Sequence, residues 1–299
     1  MSSFLAYGRA LLRLGKVRLI SASGFSGVAG YLLSAWTAHT PFHYETMLLV
    51  FFIILLSAFG SVLINNLFDQ EMDLKMERTK QRYADMQLLG GPFLWAFSIS
   101  TILFSFFLAF VFFHWKVLLT LILAVFTYVF WYTLLLKRKT PFAAVLGGIP
   151  GALPILTGAF AATPTPNMAV YFLFLWMILW QPPHFWALAL KIKEEYAAAN
   201  VPVLPVIFDD YYTKLFILLY GLALLPTAFF VGMFANFSYL YQVGSFLAGL
   251  YYLMVTYKMI FSPHDQNPKQ AEQNYQKAFR VSLIYMLLLF TFMIVDIFV

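Results

Sequence analysis

A chain of 299 residues with 62% hydrophobic, 20% aromatic and only 11% charged residues lies outside the soluble globular class, which carries about 25% charged residues. Its 19 basic and 13 acidic side chains, net charge +6, are too few to cover a water-facing exterior, so the expected fold is all-α, a polytopic membrane protein in contact with a lipid bilayer. With no cysteine in the chain, disulfide scaffolds, thiolate zinc sites and cysteine nucleophiles are excluded, and no nucleic-acid partner is expected.

A membrane helix needs roughly 20 mostly apolar residues, because lipid offers no partner for an unpaired backbone amide. Arg9, Arg13, Lys16 and Arg18 precede the first such stretch without an acid among them. A presequence and a signal region would both look like this. However, Gly15-Lys16-Val17-Arg18 abuts the first span without a cleavage-like site, which favours an uncleaved juxtamembrane helix and a bacterial plasma membrane. The first two spans are expected at about residues 19–38 and 46–68. The second ends in Asn65, Asp69 and Asp73, followed by Arg78, Thr79 and Arg82. Residues four apart on a helix are each turned only about 40° from the last, so the amide and the two carboxylates share one face, with the carboxylates about 6 Å apart. Paired hard oxygens suit Mg2+, which completes its shell with substrate phosphates. Arg78 and Arg82 then fork onto the same phosphate oxygens. The competing reading is a solvated helix end with ion pairs, and the continuation from a lipid-buried helix weighs against it, since polar groups there are costly and usually functional.

Spans three and four are expected at about 91–113 and 117–136. Lys137, Arg138 and Lys139 follow, as either a diphosphate-binding group or a basic anchor, and Gly147-Gly148 with Pro150 and Pro154 lets helices approach closely or unwind around a ligand. Spans five and six are expected at about 141–162 and 168–190, with a turn at Thr163–Asn167. The sixth ends in Trp180, Gln181, Pro182, Pro183, His184, Phe185 and Trp186. A double proline in a membrane helix is expected to break it, with Gln181 and His184 lining the break beside Trp180 and Tyr196 serving an acceptor molecule. The next loop carries Glu194 and Glu195, read either as a second acidic site completing the metal centre or as an interfacial helix ended by Pro202. Asp209 and Asp210 read as the start of a helix, and His264 as a solvated loop residue. Spans seven to nine are expected at about 212–234, 239–257 and 278–298, divided near Asn236. The spans are expected to surround a central cavity as a single domain, 1–299.

Cytoplasmic loops hold the excess of lysine and arginine. With nine spans, 18 of the 19 basic residues fall on the side of the N-terminus and only Lys116 on the other. The amino end is therefore expected in the cytoplasm and the carboxyl end outside, with the acidic motifs on the cytoplasmic face.

With Asn65, Asp69 and Asp73 as NxxxDxxxD and Arg78, Thr79 and Arg82 as the RTxxR that follows, the chain resembles the UbiA superfamily of intramembrane prenyltransferases over nearly its whole length. Trp180–Ala189 (WQPPHFWALA), Glu195–Pro205 (EYAAANVPVLP) and Lys137–Pro154 resemble the branch of that superfamily that farnesylates protohaem IX. The chain departs from the branch pattern at Tyr83, where proline is usual, at Glu195 for aspartate, and at Asn200 and Val203 for glycine and methionine. The resemblance implies transfer of a farnesyl group from farnesyl diphosphate to a vinyl group of haem b, with Mg2+ at Asp69 and Asp73 and a haem A synthase or terminal oxidase as an assembly partner. An aromatic acceptor such as a quinone precursor remains open as the alternative within the superfamily. Outside it stand a CDP-alcohol phosphotransferase, whose DGxxAR lead-in this chain lacks, and a transporter, which would place its ionisable groups near mid-bilayer.

Overall fold

The computed structural model describes residues 2–261 and 267–299, the side chains of residues 2–4 and of Arg78 not among them. His264 lies outside the described residues. Among those described, nine helices are long and apolar enough to cross a membrane, the number expected, and no strand is present. The protein is a multi-pass membrane protein.

The chain starts with α1 (Ser2–Leu14), and Lys16, in the left-handed region with φ 49°, turns it into the first span, α2 (Val17–Thr37). The second span, α3 (Tyr44–Phe68), stops at Asp69, whose φ and ψ of −91° and 2° leave the helix for one residue before α4 (Gln70–Lys75) resumes it. A short 3-10 turn (Glu77–Thr79) then leads into α5 (Lys80–Leu89) and the third span, α6 (Gly91–Phe112). The fourth span starts as α7 (Trp115–Phe126) and continues in π winding over Thr127–Leu136, a form usually confined to one turn and frequent at functional sites. The short α8 (Ala143–Leu146) and α9 (Gly148–Ala162) make the fifth.

The sixth span, α10 (Met168–Lys191), runs unbroken through Pro182 and Pro183, where a break was expected. Gln181, the residue before the prolines, donates to the Gly148 carbonyl of α9 at 2.8 Å and to the Met177 carbonyl of its own helix at 3.0 Å. Two short helices follow, α11 (Lys193–Ala198) and α12 (Leu204–Ile207), before the last spans, α13 (Asp210–Ala235), α14 (Tyr239–Ile260) and α15 (Pro268–Phe298). Asn236 ends α13 with φ 53°, the left-handed cap that asparagine tolerates. α15 starts ten residues before the expected span, because Asn267 caps it by accepting from Gln270 N at 3.1 Å and Pro268 opens its first turn.

The largest core unites α2, α9, α10, α13, α14 and α15 around the fully buried rings of Trp176, Trp186, Tyr241, Tyr252 and Tyr285. A second cluster joins α3, α6 and α7. Phe104, Phe107, Phe110 and Phe112 of α6 are exposed, as apolar side chains on a membrane-spanning helix can be. At the opposite end of the molecule from α4, Asp296 accepts from Ser238 N and Ser238 Oγ, both at 2.7 Å, while Ser238 Oγ caps α14 by accepting from Leu240 N. Replacing Asp296 by alanine is expected to cost about 1 kcal/mol, the usual value of a helix cap, and to lower the melting temperature in detergent by roughly 2–4 °C. Asp296→Asn, which keeps an acceptor, is expected to lose less.

Candidate active site

Where α3 gives way to α4, Asn65, Asp69 and Asp73 are each at most 3% exposed, and all three line one cavity of about 130 Å³. The helical spacing that places them on one face survives the interruption at Asp69. Asn65 Nδ2 donates to Asp69 Oδ2 and to Thr133 Oγ1, both at 3.0 Å. Tyr128 OH donates to Asn65 Oδ1 at 3.4 Å. The carboxylate can only accept, so this network also fixes which end of the amide faces it.

Each carboxylate has its own cation. Arg82 Nη1 reaches both oxygens of Asp73 at 2.9 and 3.0 Å. The turn that returns the chain for this contact is closed by Thr79 Oγ1, which donates to the Asp73 and Met76 carbonyls at 2.8 and 3.0 Å. Lys137 Nζ pairs with Asp69 Oδ2. Arg138, half exposed, sits at the rim, donating from Nη2 to the Phe68 carbonyl at 2.7 Å and standing 3.9 Å from Asp69 Oδ1. Asp69 Oδ1 itself is buried and accepts no hydrogen bond. A third cation, Lys16, lines the same cavity. Burial lowers its pKa to about 7, helped by the positive charges of Arg82 and Lys137 and opposed by Asp73 and Asp69. Burial likewise lowers Lys137, with Asp69 opposing, and raises Asp73, with Arg82 opposing.

Above this charged cavity lies an apolar chamber of about 200 Å³. The stripe of α3 that ends in Asn65 continues into it as Ile54, Ser57, Ser61 and Val62, and Tyr128, Pro150, Pro154 and Gln181 complete its wall. Tyr128 thus borders the chamber while its hydroxyl reaches Asn65 in the cavity below. The arrangement suits a ligand with a polyanionic head and a hydrocarbon tail.

The expected acceptor-binding residues do not gather at one place. Gln181 of α10 lines the chamber, and Tyr196 of α11 lines the charged cavity, where Phe185 also lies. Trp180 and His184 face α15 instead: Trp180 Nε1 donates to the Ser282 carbonyl at 2.8 Å, and His184 Nδ1 lies 2.7 Å from Ser282 Oγ. The His184 ring is stacked between Trp180 and Phe279, with centroids 4.5 and 4.4 Å away. With the prolines accommodated in a continuous helix, the break that Gln181 and His184 were expected to line is not formed.

Glu194 and Glu195 do not join the cavity. They line a separate cleft with Lys193, Asp209 and Asp210, in which Lys193 Nζ donates to Asp210 Oδ1 at 2.9 Å. Successive helical residues turn by about 100°, so Tyr196, which enters the cavity, directs its two predecessors elsewhere. Among the described residues no group of three or more His, Cys, Asp or Glu gathers to hold a metal ion. Asn200, at the glycine position of the branch pattern, has φ 56°, a left-handed conformation that asparagine takes more readily than other side chains do.

Lys16, Tyr128 and Thr133 escaped the sequence reading. Lys16 looked like one more basic anchor. Thr133 and Tyr128 meet Asn65 only because π winding closes its turn after five residues, as Lys137 N bonding to the Tyr132 carbonyl illustrates. No residue type in Thr127–Leu136 announces that winding.

Residues 25–294 match the model of the UbiA prenyltransferase family. The chain is 34% identical over 244 residues to the protoheme IX farnesyltransferase of Geotalea uraniireducens (strain Rf4), covering 82% of this chain and 91% of that one. It is 38% identical over 241 residues to the protoheme IX farnesyltransferase of Aquifex aeolicus (strain VF5), covering 81% and 80%. Among solved structures, a UbiA homologue from Archaeoglobus fulgidus bound to GPP and Mg2+ shares the fold at a TM-score of 0.61 and 14% identity, over 97% of this chain and 100% of that one. An apo UbiA homologue from Aeropyrum pernix K1 does so at 0.71 and 15%, over 93% and 98%.

Proposed function

The chain belongs to the UbiA prenyltransferase family, and from that premise we propose that it transfers a farnesyl group from farnesyl diphosphate to a vinyl group of protohaem IX, adding water to form haem O. The observation that carries the reading is the single stripe of α3 that runs from an apolar chamber into a pair of buried carboxylates, each matched by a cation. Mg2+ fits Asp69 and Asp73, because Asp69 Oδ1 is a buried acceptor without a donor and two carboxylates plus phosphate oxygens make a magnesium shell. When bound, the ion supplies Lewis-acid stabilisation of the departing diphosphate.

The cations around the cavity support this site. With Asp69 and Asp73 committed to a divalent ion, Lys16, Arg82 and Lys137 remain on the cavity wall as counter-charges for a diphosphate ester. Arg82 and Lys137 exchange a carboxylate for phosphate oxygens without leaving the cavity, and Arg78 is assigned to the same anion from its motif position. The farnesyl chain occupies the apolar chamber, whose largely apolar wall shields the allylic cation left at C1 once the C1–O bond breaks. The Tyr128 ring lies at the junction and stabilises that cation through its face. The vinyl carbon of the acceptor bonds to C1, and the resulting cation beside the pyrrole takes a hydroxyl from water with loss of a proton. Gln181, Phe185 and Tyr196 face the acceptor. Trp180 and His184 hold α10 against α15 behind them.

The distribution of 18 of 19 basic residues on the face of the site supports a bacterial cell membrane location with that face and the N-terminus in the cytoplasm. Mass spectrometry of haem extracted from membranes with and without the protein tests acceptor and product together. The expected product is a hydroxyethylfarnesyl haem that depends on the protein; prenylation of a quinone precursor with unmodified haem would sink the assignment.

A further inference from the structure

The N-terminal helix is tied to both elements that carry the charged site. Arg13 forks Asp85 of α5, Nε to Oδ2 at 2.8 Å and Nη2 to Oδ1 at 2.7 Å. Gln81 Nε2 adds a bond to Asp85 Oδ1 at 3.2 Å. One residue on, the Leu14 carbonyl accepts from Asn66 Nδ2 of α3 at 2.8 Å, and the Leu14 side chain is fully buried with Leu63, Leu67, Met86 and Leu94.

What these anchors hold lies immediately beside them. Lys16 takes a left-handed conformation, which a residue with a side chain keeps only where its surroundings impose it, and lines the cavity of Asp69 and Asp73. On α5, Arg82 precedes Asp85 by three residues, hence lies on a neighbouring strip of the same helix face, and grips Asp73. Asp85 is only 3% exposed. A surface ion pair would fasten α1 without the desolvation that burying this carboxylate costs, so its burial is explained by what it orients rather than by attachment alone.

We propose that Asp85, forked by Arg13, is a positioning residue of the diphosphate site: it fixes the rotation of α5 that turns Arg82 toward Asp73, and it holds the end of α1 so that Lys16 enters the cavity. The inference rests on reading that cavity as the diphosphate site.

The test measures the affinity of the full-length protein in detergent for inorganic pyrophosphate with Mg2+, together with separate KM values for farnesyl diphosphate and haem. Asp85→Asn is expected to weaken pyrophosphate binding and raise the farnesyl diphosphate KM roughly tenfold, the lower end of what loss of an outer partner costs a ligand site. The haem KM is expected to stay at its wild-type value, and Asp85→Glu is expected to recover most of the loss. If Asp85→Asn does not fold, Arg13→Gln, altered on the solvent side of the pair, is judged by the same criteria. Wild-type pyrophosphate affinity in the substituted protein overturns the proposal, and so does an equal rise in both KM values, the mark of a general structural defect. If the wild-type protein itself binds no pyrophosphate with Mg2+, the functional reading fails and the proposal falls with it.

Discussion

Replacing Asp69 or Asp73 by asparagine is expected to abolish magnesium-dependent diphosphate release, lowering kcat by on the order of 10³-fold, the upper range for removing one preorganised electrostatic group. The argument is one of charge rather than shape. Asparagine at 69 still accepts the bond from Asn65 Nδ2, so the local hydrogen-bond pattern persists. What disappears is half of the anionic oxygen set available to a divalent ion, and with it the counter-charge of Lys137. Stripping a buried ion of its partner costs about 3–5 kcal/mol, so Asp69→Asn is also expected to melt at a lower temperature. The double variant Asp69→Asn with Lys137→Gln separates the two effects. Stability should return with the unpaired charge removed, and turnover should not. Diphosphate release and thermal melting in detergent are the two measurements. Wild-type turnover in either single variant would remove the clamp from the mechanism.

Gly158→Val is expected to lower stability by about 3 kcal/mol or more, at the top of the range for overpacking. A Cβ at Gly158 would overlap the Gly27 carbonyl and meet Tyr31 N at 3.0 Å, and one at Gly30 would run into the Ile155 backbone. Both obstacles are main chain, so no rotamer change relieves them and α2 must part from α9. Membrane helices associate through close packing because lipid supplies no hydrophobic drive between them, which is why small residues carry such contacts. Since α9 also contributes Pro150 and Pro154 to the chamber wall, prenyl transfer is expected to fall with the melting temperature. Gly8→Ala in α1, where an added Cβ meets nothing within 4 Å, serves as the control and is expected to be neutral or slightly stabilising from helix propensity. Equal melting temperatures for the two variants would contradict the backbone-contact account.

The shared face of Asn65, Asp69 and Asp73 was readable because four-residue spacing is a property of the helix itself, and a one-residue interruption at Asp69 leaves it nearly intact. Arg82 was readable as part of the site, but its contact with Asp73 was not, since the 3-10 turn at Glu77–Thr79 sets the return angle. Glu194 and Glu195 line a different cleft from Asp69 and Asp73, and residue spacing is the reason. Adjacent carboxylates point in different directions from a helix, and the side chain that reaches the cavity there is Tyr196. Pro182 and Pro183 misled because a missing amide removes one bond of the helix without forcing the chain out of it, and α10 continues through both.

From the amino-acid order alone came the membrane, the nine spans, the basic face and the NxxxDxxxD stripe, each a matter of composition or of local helical period. Which side of each span looks inward was decided by tertiary packing: Gln181 toward the chamber but Trp180 and His184 toward α15, Tyr128 and Thr133 brought to Asn65 by π winding, Lys16 turned into the cavity. In water an apolar stripe marks the buried side of a helix. In lipid both sides are apolar, so the pattern that usually distinguishes interior from exterior is erased, and only the contacts between helices restore it.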